Sequence, residues 1–284
     1  MTALQTGVLA LTPKVIGQIR AKIEEGSAFQ RVTQFTPLTR EGHMLFEMDQ
    51  TDAFWIKEGE EKPEATPGIT SDTMYAEKLV KTVGITEEFK DDYPYIEEKL
   101  MREGMGSLAR SFDKTVLGSK SGPTNVDTFK YLSTDDGSAG WTAQVANITT
   151  AKSLTTATAL VGNTVPSHMI LNAKGLAAIK GIYNQNDRKT VTITDTTIDG
   201  IPYVLINPAV KSDVAWGIVG DFANSAAWGI IPGSIKLKKS TEATIRINGE
   251  LKSLFLHNMV GYIAEGYFGY KILDKSAFTE LSFS

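Results

Sequence analysis

The stretch from Ala53 to Lys120 constrains the fold most, because three unlike segments follow one another there. An acidic segment with prolines comes first, an alternating segment follows it, and a long helical pattern comes last. A compact enzyme does not need this order. The order is typical of an extended arm, its return strand and a long supporting helix, as in a subunit that must reach its neighbours.

One long helix is predicted from about Asp92 to Gly118, where apolar residues recur at every fourth position. The recurring positions form a ridge with two methionines beside it: Ile96, Leu100, Gly104, Leu108, Phe112 and Val116, flanked by Met101 and Met105. Gly104 and Gly106 each weaken a helix interior by roughly 1 kcal/mol, which indicates a close approach of another backbone or a bend. At 1.5 Å per residue the helix would span ~40 Å, which is long for one domain of this size.

The start of this helix has its own signals. Asp91 and Asp92 suit the N-cap, and Pro94 suits the first turn. Glu97 and Glu98 follow in the first turn, where carboxylates face the positive end of the helix dipole. These residues predict that the helix begins at about Asp92.

The chain before the helix is predicted to form an arm and a hairpin. Residues 1–40 are mixed in character, with a weak helical spacing at 13–22. Residues 43–49 and 53–56 are predicted to be strands, and the acidic, proline-containing stretch at 58–67 an exposed loop tip.

The chain after the helix changes character twice. Residues 121–147 are rich in Gly, Ser, Asp and Thr and are predicted to be a long connector. Residues 148–235 have an α/β pattern, and the last fifty residues turn to β, with a hairpin at Asn248-Gly249. We therefore expect the N-terminal and C-terminal β segments to share one sheet, with the 148–235 lobe inserted between them.

Composition excludes several classes of protein. The chain has 42% hydrophobic and 22% charged residues, which is ordinary for a globular protein. It has no cysteine, so thiolate chemistry and disulfides are not available, and no apolar run approaches the ~20 residues of a membrane helix. A net charge of -4 argues against general binding of nucleic acid through a basic surface.

Charge is divided unevenly along the chain. Residues 41–113 carry 18 acidic and 8 basic side chains, whereas the remainder carries 15 acidic and 21 basic. The simpler interpretation is two solvated faces of opposite bias. The alternative is attraction between copies of the chain, in which the acidic region meets basic residues such as Lys236, Lys238 and Lys239 of a neighbour.

The residues indicate no catalytic, metal or cofactor site. His43, His168 and His257 stand apart in apolar contexts, without carboxylates at ligand spacing. Ser111 and Lys114 match the Ser-x-x-Lys pattern of penicillin-recognising acylases, but they lie late in the predicted helix and no Lys-Thr-Gly follows. We therefore name no catalytic residue, no metal ligand and no cofactor.

Several short motifs, in their order and spacing, carry a resemblance to a known family. They are Trp55-Ile56-Lys57-Glu58-Gly59, the segment from Thr82 to Phe89, Phe112-Asp113-Lys114-Thr115-Val116-Leu117-Gly118, Asp199-Gly200-Ile201-Pro202-Tyr203, Gly220-Asp221-Phe222, and the ending Asp274-Lys275-Ser276-Ala277-Phe278-Thr279-Glu280-Leu281. The chain resembles, over almost its whole length, the major capsid proteins of tailed phages with the Hong Kong 97 fold.

The resemblance implies an α+β fold of four parts, which are made from five segments of the chain. A peripheral domain carries the long spine helix on a β-sheet, an axial α/β domain lies at the capsomer centre, and an extended β-hairpin loop and an N-terminal arm reach out. The implied parts are the arm at 1–40, the extended loop at 41–80, the peripheral domain at 81–147 and again at 236–284, and the axial domain at 148–235.

The implied function is that of a bacteriophage major capsid protein. Copies would self-assemble as pentamers and hexamers into the icosahedral shell of a virion, which encloses double-stranded DNA without reading its sequence. Scaffolding, portal and decoration proteins would be further partners, no membrane would be involved, and assembly would take place in the host cytoplasm. Two alternatives stay open: an encapsulin-type nanocompartment shell, and a small-molecule enzyme on the 148–235 lobe.

Three groups of residues are candidate subunit interfaces under this resemblance. They are Trp55, Ile56, Lys57 and Glu58 in the extended loop, Asp187, Arg188 and Lys189 in a polar loop of the axial lobe, and Arg31 and Arg40 in the arm. An exposed Trp-Ile pair is a liability for association unless a neighbouring subunit covers it.

Overall fold

The structure is a computed structural model of the chain. It describes residues 26–48, 55–56, 58, 69–93, 95–117, 126, 144–159, 164–185, 192–208, 214–247 and 249–283. The helical spacing predicted at 13–22 and most of the predicted loop tip lie outside these residues.

Within the described residues the chain forms five α-helices and fifteen β-strands. The helices are α1 (Ala28–Val32), α2 (Glu87–Asp92), α3 (Ile96–Val116), α4 (Ala151–Ala159) and α5 (Ala173–Gln185). The first eight strands are β1 (Gln34–Pro37), β2 (His43–Met48), β3 (Ile69–Met74), β4 (Glu77–Thr86), β5 (Gln144–Asn147), β6 (His168–Leu171), β7 (Thr197–Ile198) and β8 (Ile201–Leu205). The others are β9 (Trp216–Gly220), β10 (Ala226–Ile230), β11 (Lys236–Ser240), β12 (Thr244–Ile247), β13 (Glu250–Ser253), β14 (Met259–Ile272) and β15 (Phe278–Ser282).

The long helix α3 confirms the predicted ridge. Leu108, Phe112 and Val116 are buried at four-residue spacing. A Cβ placed on Gly104 would stand 3.3 Å from the Cβ of Ala264 in β14, so this glycine lies where the helix approaches the sheet. With 21 residues the helix is about 32 Å long, somewhat shorter than predicted.

The predicted N-cap of this helix is wrong. Asp91 and Asp92 end the separate short helix α2, which Thr86 caps by accepting a hydrogen bond from the Phe89 amide. The long helix begins only at Ile96, after Tyr95, whose side chain makes no capping hydrogen bond. Asp91 and Asp92 have side chains that favour an N-cap, but here they occupy the last turn of α2. Composition alone does not distinguish the end of one helix from the start of the next. Glu97 and Glu98 do lie in the first turn, as expected.

One sheet is built around β14, the longest strand. β4 pairs antiparallel with β14 from Met259 to Phe268, and β11 and β10 pair along its opposite side. β1 extends this sheet by pairing parallel to β10. The pairing of β4 with β14 confirms that the N-terminal and C-terminal β segments share a sheet.

A second sheet has six strands in the order β5-β15-β9-β6-β8-β7. It differs from the predicted segments in three places. The predicted connector at 121–147 contains β5, the last strand β15 belongs to this second sheet, and β10, within 148–235, belongs to the first. Alternation in a sequence reveals that a strand is half-buried but not which strand it pairs with. The division of the chain into domains therefore stays a prediction.

Aromatic side chains join the two sheets into one core. Phe112 of the long helix packs at 6.0 Å between ring centroids on both Phe268 and Tyr270 of β14. Phe29 of α1 contacts Tyr270 on one side and Phe222, beside the second sheet, on the other. The short helix α1 thus wedges between the sheets.

A buried carboxyl group holds α1 in this position. Asp113 of the long helix accepts hydrogen bonds from the Ser27 hydroxyl at 2.5 Å and from the Ala28 amide at 3.0 Å. Burial raises the pKa of Asp113 to about 7, although the hydrogen bonds from Ser27 and from the amides of Ala28 and Phe29 oppose this rise. The attachment of α1 is therefore expected to depend on pH near neutrality.

Replacing Asp113 by Asn should flatten the pH dependence of stability between about pH 4 and 7. The unfolded chain releases the Asp113 proton near its ordinary pKa of 3.8, whereas the folded chain keeps it up to about 7. The folded state therefore binds more protons in this window, and the wild-type free energy of unfolding should fall as pH rises, by an amount on the order of 3 kcal/mol. Denaturant unfolding at several pH values measures this difference between wild type and Asp113→Asn.

Ser27→Ala provides the second arm of this experiment. Loss of the hydroxyl donor should raise the pKa of Asp113 further and shift the fall in stability to higher pH. If wild type and Asp113→Asn lose stability in parallel across this pH range, the buried carboxyl does not control the attachment.

Candidate assembly surfaces

Five of the predicted interface residues lie in the part of the chain that the structure describes, and all five are exposed to solvent. Trp55 is fully exposed, Ile56 is 41% exposed, and Glu58 is exposed at a turn. Neither Trp55 nor Ile56 lies in a strand, so the strand predicted at 53–56 is wrong for these two residues. Arg31 on α1 and Arg40 after β1 are also exposed. The remaining candidates, Lys57, Asp187, Arg188 and Lys189, lie outside the described residues.

The hairpin of β2 and β3 presents apolar side chains to solvent. Its register runs from the pair His43 and Met74 to the pair Met48 and Ile69. Met44 and Phe46 lie two residues apart on one face, and both are more than half exposed. A hairpin with this exposed face is suited to contact with another molecule.

A second apolar surface lies at the end of the first sheet and was not predicted. The Glu87 amide donates to the Asn258 carbonyl at 2.8 Å, and the Asn258 side-chain amide donates to the Glu88 carboxylate at 2.6 Å. These bonds bring the α2 region beside the turn that follows β13. The exposed apolar residues that result, here called the distal tip, are Phe89, Tyr93, Tyr95, Leu251, Phe255 and Leu256.

The distal tip had a partial signal in the sequence. The run Leu254-Phe255-Leu256 has three large apolar residues, of which Leu254 is fully buried and the other two are 75% and 78% exposed. Such a run predicts a core strand as readily as a surface. Only the 3₁₀ turn from Phe255 to His257 directs two of the three side chains outward.

The charged residues of the first sheet form ion pairs within the chain. The Lys239 ammonium lies 2.6 Å from the Glu97 carboxylate, and Lys238 and Lys78 both contact Glu265, at 2.7 and 2.8 Å. The donation by Lys239 and by the Tyr262 hydroxyl lowers the pKa of Glu97. Lys238 and Lys239 therefore have partners inside the subunit, but each shares its carboxylate with a second lysine, Lys78 at Glu265 and Lys90 at Glu97. Their attraction to a neighbour's acidic region stays a prediction.

The histidines, which are the residues best suited to catalysis or metal binding, lie on separate elements of the fold. His43 lies in β2, His168 in β6 and His257 in the 3₁₀ turn of the distal tip. Among the residues that the structure describes, no group of three His, Asp or Glu side chains could hold a metal ion. In the same described part of the chain, no helix is both long and apolar enough to cross a membrane. Ser111 and Lys114 are half-buried on the long helix.

Comparison with known proteins gives a family for this architecture. Residues 7–283 match the model of the phage capsid family. No curated protein has significant sequence similarity to the chain. The chain belongs to the phage capsid family: it is a capsid protein, a shell-forming structural subunit of the virion.

Solved structures share the fold at low sequence identity. A chain from the solved structure of Mycobacterium phage Bobi is 16% identical with a TM-score of 0.68, covering 91% of each chain. That from Mycobacterium phage Adephagia is 16% identical with a TM-score of 0.66, covering 91% of this chain and 90% of the other. The capsid of an empty GTA particle, computed with C5 symmetry, is 15% identical with a TM-score of 0.64 over the same shares. The fold is thus the expected α+β Hong Kong 97-type capsid fold, and these matches lend no support to an encapsulin-type shell or an enzyme.

Replacing both Phe255 and Leu256 by Ser should weaken association between copies without unfolding the subunit. Both side chains are mostly exposed, so the folded chain loses little buried area when they are shortened. Sedimentation velocity measures the association, and thermal unfolding measures the stability of the subunit. The matched contrast is Leu254→Ser, which removes a fully buried side chain and should destabilise the fold by about 2–5 kcal/mol. A double variant that assembles like wild type would show that the distal tip is not an interface.

Proposed function

We propose that the chain is the major capsid protein of a tailed double-stranded DNA phage, and that its copies form the icosahedral shell as pentamers and hexamers. The match to the phage capsid family over residues 7–283 carries this proposal. The likeness to the capsid of a GTA particle supports assembly into a shell. The chain acts as a structural protein without catalysis, and it encloses DNA without sequence-specific binding.

Three contacts with neighbouring copies follow from the proposal. The extended loop, through Trp55 to Glu58, packs on an adjacent subunit, which removes the apolar Trp-Ile pair from water. Arg31 and Arg40 of the arm meet acidic surfaces of another copy. The loop with Asp187, Arg188 and Lys189 lies near the capsomer axis, where each copy's Asp187 can pair with a basic residue of the next.

Further parts of the proposal concern organisation and partners. The segments 81–147 and 236–284 act as the peripheral domain, 148–235 as the axial domain, 41–80 as the extended loop and 1–40 as the arm. Scaffolding, portal and decoration proteins are the expected partners besides the chain itself. Assembly takes place in the host cytoplasm, which agrees with a chain that has no cysteine.

Purified protein examined by electron microscopy and light scattering tests the central proposal. We expect closed shells, or capsomers that convert to shells as concentration rises, because several apolar surfaces of the subunit are exposed. A chain that stays a folded monomer at high concentration under all solution conditions would exclude self-assembly.

Trp55→Ala should reduce the yield of shells while the circular dichroism of the subunit stays nearly unchanged. Trp55 is fully exposed, so its removal costs the isolated subunit little packing. The matched control is Trp228→Ala, which removes a buried tryptophan packed on Phe35 and Phe112 and should cost about 3–5 kcal/mol of stability. If Trp55→Ala assembles as wild type does, the loop contact is not made through this residue.

A further inference from the structure

The two chain segments that join the β2–β3 hairpin to the subunit, here called its roots, pack at one place on the first sheet. Leu38 precedes the hairpin and is 2% exposed, and Met74 ends β3 and is fully buried. Together with Ala227 of β10 they form a small apolar cluster of their own. The two chain segments that carry the hairpin are therefore packed, even though Met44 and Phe46 further out are exposed.

Two glycines on neighbouring strands make room for these roots. Gly229 of β10 and Gly269 of β14 are directly paired in the register of the sheet. A Cβ on Gly229 would stand 2.3 Å from the carbonyl oxygen of Thr36 in β1 and 2.6 Å from Cγ of Leu38. A Cβ on Gly269 would stand 2.5 Å from the carbonyl oxygen of Tyr75 and 2.9 Å from Cδ1 of Leu38. Real Cβ atoms do not approach other atoms so closely, so any side chain at either position must displace a root of the hairpin.

An ion pair ties the hairpin to the sheet at a further point. The Lys271 ammonium of β14 lies 2.7 Å from the Asp72 carboxylate of β3. The side chain of Lys271 is 18% exposed, so its charge is partly shielded from water, and that of Asp72 is 55% exposed. Asp72 also accepts a hydrogen bond from the Thr73 amide at 2.8 Å, which orients its carboxylate. The outgoing and the returning chain are thus fixed by packing, and the returning strand by charge as well.

We infer that the paired glycines Gly229 and Gly269, together with the Asp72–Lys271 ion pair, form a mount that sets the direction in which the hairpin leaves the subunit. The residues act as positioning residues: they touch no neighbouring copy themselves but aim the apolar face of the hairpin at one. The inference rests on the proposed function, because a fixed direction matters only if the hairpin meets a second copy. It predicts that the hairpin keeps one orientation relative to the first sheet, even in the unassembled subunit.

Charge reversal separates positioning from a purely structural role. The variants are Asp72→Lys, Lys271→Asp and the double exchange of both residues. Each single variant places like charges together, so amide hydrogen exchange in β2 and β3 of unassembled subunits should rise by about two- to fivefold. Exchange in β14 should stay unchanged, and the yield of closed shells should fall. The double exchange restores the opposite charges and should restore both the protection of the hairpin and the shells.

Gly269→Ala tests the packed part of the mount. We expect shell yield to fall several-fold with capsomers or subunits still folded, since the added methyl group displaces the Tyr75 backbone. Gly181→Ala is the matched control, because a Cβ there has no atom within 4 Å, and it should assemble as wild type does.

Two results would overturn the inference. One is single charge variants with wild-type exchange in the hairpin and wild-type shells. The other is single variants whose defects the double exchange does not repair. Because hydrogen exchange is measured on unassembled subunits, it tests the mount even if wild-type protein forms no shells, an outcome that would instead remove the proposed function.

Discussion

The packing of the long helix α3 on strand β14 is the interaction on which the rest of the fold depends. Phe112 lies against Phe268 and Tyr270 of β14, and Gly104 lets the helix backbone approach Ala264 of the same strand. β14 in turn pairs with strands on both sides, so the helix packs on a sheet that is held along both edges of its central strand. Asp113 on the same helix then secures α1 between the two sheets.

Several charged residues of the first sheet are paired within the subunit, whereas large apolar side chains are exposed on the hairpin and the distal tip. Glu97 and Glu265 are matched by lysines of the same chain, whereas the hairpin and the distal tip expose large apolar residues such as Phe46 and Phe255. Ion pairs that are partly shielded from water fix the shape of the monomer, and exposed apolar surfaces favour contacts with other copies. This distribution is suited to a shell-forming member of the phage capsid family.

Local sequence patterns predicted the helices and turns better than they predicted which distant segments contact one another. The ridge of α3 and the hairpin at Asn248-Gly249 follow from spacing and turn chemistry, and the resemblance to capsid proteins rested on the order of short motifs. The start of α3 was misplaced because Asp91 and Asp92, which favour an N-cap by residue type, form the end of α2. The distal tip was missed because it exists only where Glu87 and Glu88 meet Asn258, which is far from them in sequence.

The sequence by itself determined the class of fold, the long helix and the family, because periodicity, turn residues and motif order are local or ordered properties of the chain. Tertiary structure decided which strands pair, and it placed β15 in the second sheet instead of the first. It also decided that Lys238 and Lys239 contact carboxylates of their own subunit. It also decided that Gly229 and Gly269 face the roots of the hairpin. The physical reason is that pairing and charge neutralisation depend on distance in space, which a local pattern does not specify.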